Sequence, residues 1–202
     1  MIKNDVVITG ANRTAVGSLG KSLKNISGEE LGAAVISEAI IRSKIKPSDV
    51  DEVIMGQVLT GGSGQNPARQ AAIRSGIPKE KPAYIVNQVC GSGIRAIASG
   101  FQSIKAGDSK IVIAGGQESM SLAPHSVYLR DGKKLGNIEM TDTMIKDGLW
   151  DAFHGYHMGV TAENVATKFQ VTRDDQDKFA LKSQEKAIKS QKENKFKEEL
   201  IN

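Results

Sequence analysis

Ala83–Gly107, AYIVNQVCGSGIRAIASGFQSIKAG, decides the fold, because one periodicity gives way to another across the only cysteine of the chain. Tyr84, Ile85, Val86 and Val89 form a short run rich in β-branched and aromatic residues, which predicts a buried strand of about five or six residues. Ile94, Ile97, Ala98, Phe101, Ile104 and Lys105 then recur at helical spacing as far as Gly107, which stands where a left-handed helix C-cap is expected. The order is strand, Cys90, helix. The first turn of a helix holds unpaired backbone N–H groups and a partial positive charge, so it favours an anion. Cysteine attacks as the thiolate. Gly91 and Gly93 remove side-chain bulk, so a substrate carbonyl could approach the backbone while an N–H, that of Cys90 itself, donates to its developing negative charge. The arrangement suits acyl transfer through a thioester.

Two other readings fit the same residues. A single cysteine is also compatible with a small buried hydrophobe that does no chemistry. Gly91-Ser92-Gly93-Ile94-Arg95-Ala96 moreover matches GxGxxA between a strand and a helix, the pattern of a dinucleotide-binding turn. That pattern asks for an acidic residue about 20 positions on, at the end of the next strand. Here the next apolar run, Lys110 to Ala114, is followed by Gly115-Gly116-Gln117-Glu118, so Glu118 comes late.

Working outward, Asp5-Val6-Val7-Ile8-Thr9-Gly10 predicts an opening strand and the polar run to Asn25 a long connection. Ser27-Gly28-Glu29-Glu30 has the pattern of a capping box, ahead of an apolar helix that ends before Pro47. Val53 to Val58 predicts a second strand. Gly61-Gly62-Ser63-Gly64 lacks the Gly-Lys-Ser/Thr of a P-loop and is read as a turn. Asn66-Pro67 supplies the cap and first residue of a helix closed by Gly76, and Ile111 to Ala114 predicts a strand covered on both faces. Strands alternating with helices predict an α/β fold, a sheet with helices packed on both faces. From Ser119 to Trp150 no period is visible, as in a functional loop or interaction surface. Thr161 opens a helix bearing Val165, Ala166 and Phe169. Thr172 caps another that reaches about Asn194 and turns Phe179, Ser183 and Ala187 inward. Lys195 to Asn202 begins a further strand.

The chain has 202 residues, 39% of them hydrophobic and 25% charged, which fits one globular domain or one and a half. No apolar run approaches the 18 or so residues of a membrane span. The net charge is +4 and the pI about 9.1, but lysines alternate with acids and aromatics are only 4%, which argues against nucleic acid as a partner. One cysteine excludes an internal disulfide, and Met1 to Val6 carries neither an apolar core nor a cleavage site for secretion, so the expected compartment is the cytoplasm. His154 and His157 lie three apart with no second cysteine, so no metal site is expected.

Asn87-Gln88-Val89-Cys90-Gly91-Ser92-Gly93-Ile94-Arg95-Ala96 resembles the nucleophile segment of the thiolases, specifically the biosynthetic, tetramer-type acetyl-CoA acetyltransferases. The likeness continues through Gly10 to Gly17, Gly115 to Ser121 and Gly155 to Asn164. The related ketosynthase-like condensing enzymes share the nucleophile logic, but Asn87 to Ala96 and His157-Met158-Gly159 favour thiolase. The resemblance implies the front half of a thiolase subunit, with a layered α/β core and a mixed sheet. Residues 1–118 would be the N-terminal core holding the nucleophile, and 119–202 an excursion with two helices, a tetramerisation loop at 122–140 and part of the coenzyme A pocket. The C-terminal thiolase domain would be absent.

By the same resemblance Cys90 takes the acetyl group from acetyl-CoA, and a second acetyl-CoA, as its enolate, attacks the acyl-enzyme to give acetoacetyl-CoA. Thiolysis is the reverse. His157 and Met158 would line the active-site pocket and the pantetheine channel and Leu149 would make another pantetheine contact; the chain would form a homodimer or homotetramer, and in a tetramer Leu135 would reach a neighbouring subunit's pantetheine tunnel. Coenzyme A thioester is substrate, with no covalently bound cofactor. The base cysteine, the activating histidine and the water-placing asparagine would lie in the second half of a subunit, so the chain alone is expected to be inactive. The alternatives are a Rossmann-like dinucleotide-binding module through Gly91 and Gly93, and a non-catalytic assembly fragment associating through Leu122 to Met140.

Overall fold

The computed structural model describes residues 5–201. The described chain forms two compact units, one taking in the residues up to Gly148 together with Ile201, the other Leu149–Leu200.

The first unit is built on a parallel sheet whose three strands are β1 (Glu52–Gly56), β2 (Ala83–Val86) and β3 (Val112–Gly116), ordered β2-β1-β3. Three helices pack on it, α1 (Gly28–Arg42), α2 (Pro67–Arg74) and α3 (Ser92–Ala106). Connections between parallel strands are right-handed, so a chain that moves from β1 out to β2 and then back across β1 to β3 must place its two crossover helices on opposite faces. Alternation along the strands then assigns each side chain to a face. Val53, Met55, Ala83, Ile85, Ile111 and Ile113 join Ile36, Ile40, Ala68, Ala71 and Ala72 in one core under α1 and α2. Val112 and Ala114 point the other way, against Gly100 of α3.

β1 is the centre: Val53, Ile54 and Met55 have no more than 1% of their surface exposed. β3 is only half-buried along Val112–Gly115 and covered less completely than its apolar run predicts. Among the described residues it is paired on one side only, with β1, and edge position leaves part of each residue open. Asp51 ties the start of β3 to the start of β1 by accepting from the Lys110 and Ile111 amides at 2.8 and 3.1 Å. Those amides, and Lys81 beside them, hold its carboxyl below the usual range.

Local signals act as expected at the helix ends. Ser27 and Glu30 close a reciprocal capping box on α1, Asn66 caps α2 ahead of Pro67, and Gly107 ends α3 at φ +89°. Other expectations are corrected. Residues 5–10 form no strand, and Val7 and Ile8 are 71% and 78% exposed, since no neighbouring edge pairs with them among the described residues. Among the described residues β1, β2 and β3 pair only in parallel, while a separate two-stranded ladder of β4 (His125–Ser126) with β5 (Thr141–Asp142) is antiparallel.

In the second unit, α4 (Met158–Phe169) starts before Thr161, with His157 as its cap. α5 (Arg173–Lys192) has the Thr172–Asp175 capping box but no buried residue, and Phe179 is 78% exposed rather than turned inward. Among the described residues after α5, Glu193 to Glu199 form turns, with Asn194 at φ +53°, and only Leu200 takes part in a bridge, so no continuous strand forms. No helix among the described residues is long and apolar enough to cross a membrane.

Candidate active site

Cys90 is exposed, in the five-residue turn that joins the carboxyl end of β2 to α3. In doubly wound sheets this edge, where the strand order reverses, is where ligands meet the protein. Exposure removes the reading of Cys90 as a buried hydrophobe. Gly91 is the N-cap of α3, with φ −84° and no side chain capping the helix. The opening amides are therefore left to other acceptors.

The height of the turn is set by glycines behind it. A Cβ on Gly56, the last residue of β1, would stand 2.4 Å from the Ser92 carbonyl carbon and 2.6 Å from the Gly93 nitrogen, so β1 and the first turn of α3 touch backbone to backbone. At Gly93 a Cβ would find its nearest neighbours at 3.9 Å, and at Gly91 φ is ordinary for any residue. The glycine that this seat cannot replace is Gly56. Its signal in the sequence is a glycine terminating the apolar run Val53-Ile54-Met55.

Around the carboxyl ends of β1 and β3 lies a buried polar group. Gln117 donates to the Gln57 side-chain oxygen at 2.9 Å, and Gln57 in turn donates to the Leu59 carbonyl at 2.9 Å. Glu118 accepts from the amides of Val58 at 2.8 Å and Leu59 at 3.3 Å. It is thus engaged by the loop after β1, rather than free to take a ribose as the dinucleotide pattern requires. Burial raises its pKa, against the backbone amides of Val58, Leu59 and Ser119, which lower it.

A carboxyl whose native pKa is raised binds its proton more tightly folded than unfolded. Its contribution is fully present below the unfolded value and is lost as pH rises through the native one. Glu118→Gln is uncharged throughout. Its urea midpoint is expected to fall less than that of the parent between about pH 4 and about pH 7, a difference in which Asp51 and the other acids cancel. Equal falls would contradict the assignment.

In the second unit His157 accepts from the Gly159 amide through Nδ1 at 3.0 Å and pairs with Trp150 in an isolated antiparallel bridge. This capping role needs Nδ1 unprotonated, which leaves the ring N–H on Nε2. Met158 opens α4 and is 38% exposed, and Leu149 is half-buried. His154 Nδ1 lies 3.0 Å from the Asp151 carboxylate. Leu135 is 89% exposed in the irregular stretch between β4 and β5 and is enclosed by nothing in its own chain. Among the described residues no cluster of three His, Cys, Asp or Glu side chains is placed to hold a metal ion.

The family described as "Thiolase, N-terminal domain" matches residues 6–202. An acetyl-CoA acetyltransferase of Rhizobium meliloti is 56% identical over 201 residues, which are 100% of this chain and 51% of that protein. One from Cupriavidus necator is 57% identical, over 98% of this chain and 50% of the relative. A rat protein named cytosolic acetyl-CoA acetyltransferase is 50% identical, over 97% and 49%. The crystal structure of the Acat5 thiolase of Ascaris suum in complex with coenzyme A superposes with a TM-score of 0.93 at 39% identity, covering 96% of this chain and 50% of that one. The chain thus spans about half the length of the curated relatives it matches.

Proposed function

The chain belongs to the thiolase family, and from that premise we propose that it carries the acyl-accepting step of an acetyl-CoA acetyltransferase, with Cys90 as the nucleophile. The observation that carries this reading is the exposed thiol at the carboxyl end of the sheet, beside a helix N-terminus that no side chain caps. Cys90 Sγ attacks the thioester carbonyl of acetyl-CoA. The backbone N–H of Cys90 donates to the oxyanion, and coenzyme A leaves as its thiol. The enolate carbon of a second acetyl-CoA then attacks the acetyl carbonyl and Cys90 leaves as thiolate, giving acetoacetyl-CoA; thiolysis runs the same steps backwards.

Enolate formation needs a base. With one cysteine in the sequence, these residues supply no second thiol for that role. The 202 residues alone are expected not to turn over acetoacetyl-CoA. His157, Met158 and Leu149 serve the pantetheine arm of the substrate; that the Ascaris relative was solved with coenzyme A supports coenzyme A thioester as the ligand class. Residues 122–140 serve assembly into a homotetramer in which Leu135 reaches a neighbour. A cytoplasmic setting is supported by the cytosolic name of the rat relative.

The test is selective labelling. In a full-length subunit that carries these residues together with the second half of a relative, iodoacetamide at neutral pH is expected to modify Cys90 faster than it modifies free glutathione, and acetyl-CoA to leave one acetyl group on the peptide holding Cys90. Labelling no faster than glutathione, with acetyl absent from Cys90, overturns the assignment.

A further inference from the structure

The residue before the nucleophile is in a conformation that its side chain disfavours. Val89 has φ +49°, left-handed, where a β-branched residue is an outlier. Such a conformation persists only where its surroundings impose it. Here two side chains do so. Asn87 Oδ1 accepts from the Val89 amide at 2.9 Å. The Ser92 hydroxyl accepts from the Gln88 amide at 2.9 Å and donates to the Val89 carbonyl at 2.6 Å, so it bridges the peptide groups on either side of the turn.

Both are anchored from behind. Ser92 is 3% exposed and its backbone abuts Gly56. The Asn87 side-chain amide donates to the Val58 carbonyl at 3.4 Å, and the Val58 amide donates to Glu118 at 2.8 Å. Half-buried Glu118, the Val58 peptide, Asn87 and Val89 form one chain of contacts that ends on the residue preceding Cys90.

We propose that Asn87 and Ser92 are positioning residues: by clamping Val89 in the left-handed region they turn the backbone from β2 into α3 at the angle that presents Cys90 Sγ and its amide to the same side. Neither touches the reacting atoms. The inference rests on the assignment of Cys90 as nucleophile and adds to it the residues that aim it.

The experiment compares Asn87→Ala and Ser92→Ala with the parent chain, with and without Val89→Gly, which takes a positive φ without strain. Two quantities are read: the rate of Cys90 alkylation by iodoacetamide, and the backbone conformation at residue 89 from NMR chemical shifts. Each alanine variant is expected to lose the left-handed signature at Val89 and to slow alkylation by about tenfold, the factor one well-formed hydrogen bond is worth. In the Val89→Gly background the same changes are expected to alter the rate by no more than about twofold.

Retention of the left-handed signature in both variants overturns the proposal whether or not Cys90 proves reactive. So does an undiminished effect of Ser92→Ala when residue 89 is glycine. Slow labelling of the parent with the clamp intact would instead count against Cys90 as nucleophile. Asn87 is exposed, so its variant keeps the test open if loss of the buried Ser92 hydroxyl unfolds the chain.

Discussion

Gly56→Val is expected to cost about 3 kcal/mol of stability or more, at the upper end of what overpacking does. Most overpacked sites relax by moving a side chain. At Gly56 the atoms in the way are the Ser92 carbonyl carbon and oxygen and the Gly93 nitrogen, all within 2.6 Å of the new Cβ, and β1 behind them is the most buried strand. Relief requires α3 to lift off the sheet, taking the Cys90 turn with it. For a chain of this length about 3 kcal/mol corresponds to a fall in Tm of roughly 6 to 12 °C, out of a total stability of about 5–15 kcal/mol. Gly93→Ala is the control, because its Cβ meets nothing closer than 3.9 Å; it is expected to stay within about 1 kcal/mol of the parent. A Gly56→Val chain melting within about 2 °C of the parent would show that α3 is not seated backbone to backbone on β1.

Cys90→Ala is expected to abolish acetyl transfer to the turn and thiol labelling altogether, while changing stability by no more than about 0.5 kcal/mol. A catalytic cysteine and a packing cysteine differ on this point. A buried Sγ fills volume, and its loss costs cavity and transfer energy. An exposed Sγ fills none, and Cys90 is exposed in the turn before α3. Intact-mass measurement after incubation with acetyl-CoA, beside a urea titration of the same samples, separates the two. A loss of about 2 kcal/mol with unchanged acetyl uptake elsewhere on the chain would reverse the assignment in favour of packing.

Much of this was legible in the residues. The change of period across Cys90 located the junction of β2 with α3, because a strand and a helix bury side chains at different spacings and the chain must switch between them. Ser27 with Glu30, Asn66 with Pro67, Gly107, and Thr172 with Asp175 marked helix ends through hydrogen bonds that reach only a few residues along the chain. What failed depended on partners distant in sequence. Val7 and Ile8 have the composition of a strand, but pairing needs an open edge beside them. Phe179 has the spacing of a core residue, yet α5 buries nothing.

The site divides in the same way. Cys90 and its place before a helix followed from local pattern, and so did the family, because the run from Asn87 to Ala96 is long and specific. The clamp on Val89 was not visible: nothing in the order of letters says that a valine takes a positive φ, or that Ser92 folds back to hold it. Glu118 invited a ligand-binding role by its position after β3 and was given a backbone-capping one by the loop after β1. By itself the sequence determined the strand–turn–helix order around Cys90, the helix caps and the family, all of which rest on interactions between near neighbours along the chain. Only the tertiary structure decided that Gly56 must be glycine and that Val89 is held left-handed, because both depend on how closely β1 approaches the first turn of α3, a distance between segments more than thirty residues apart.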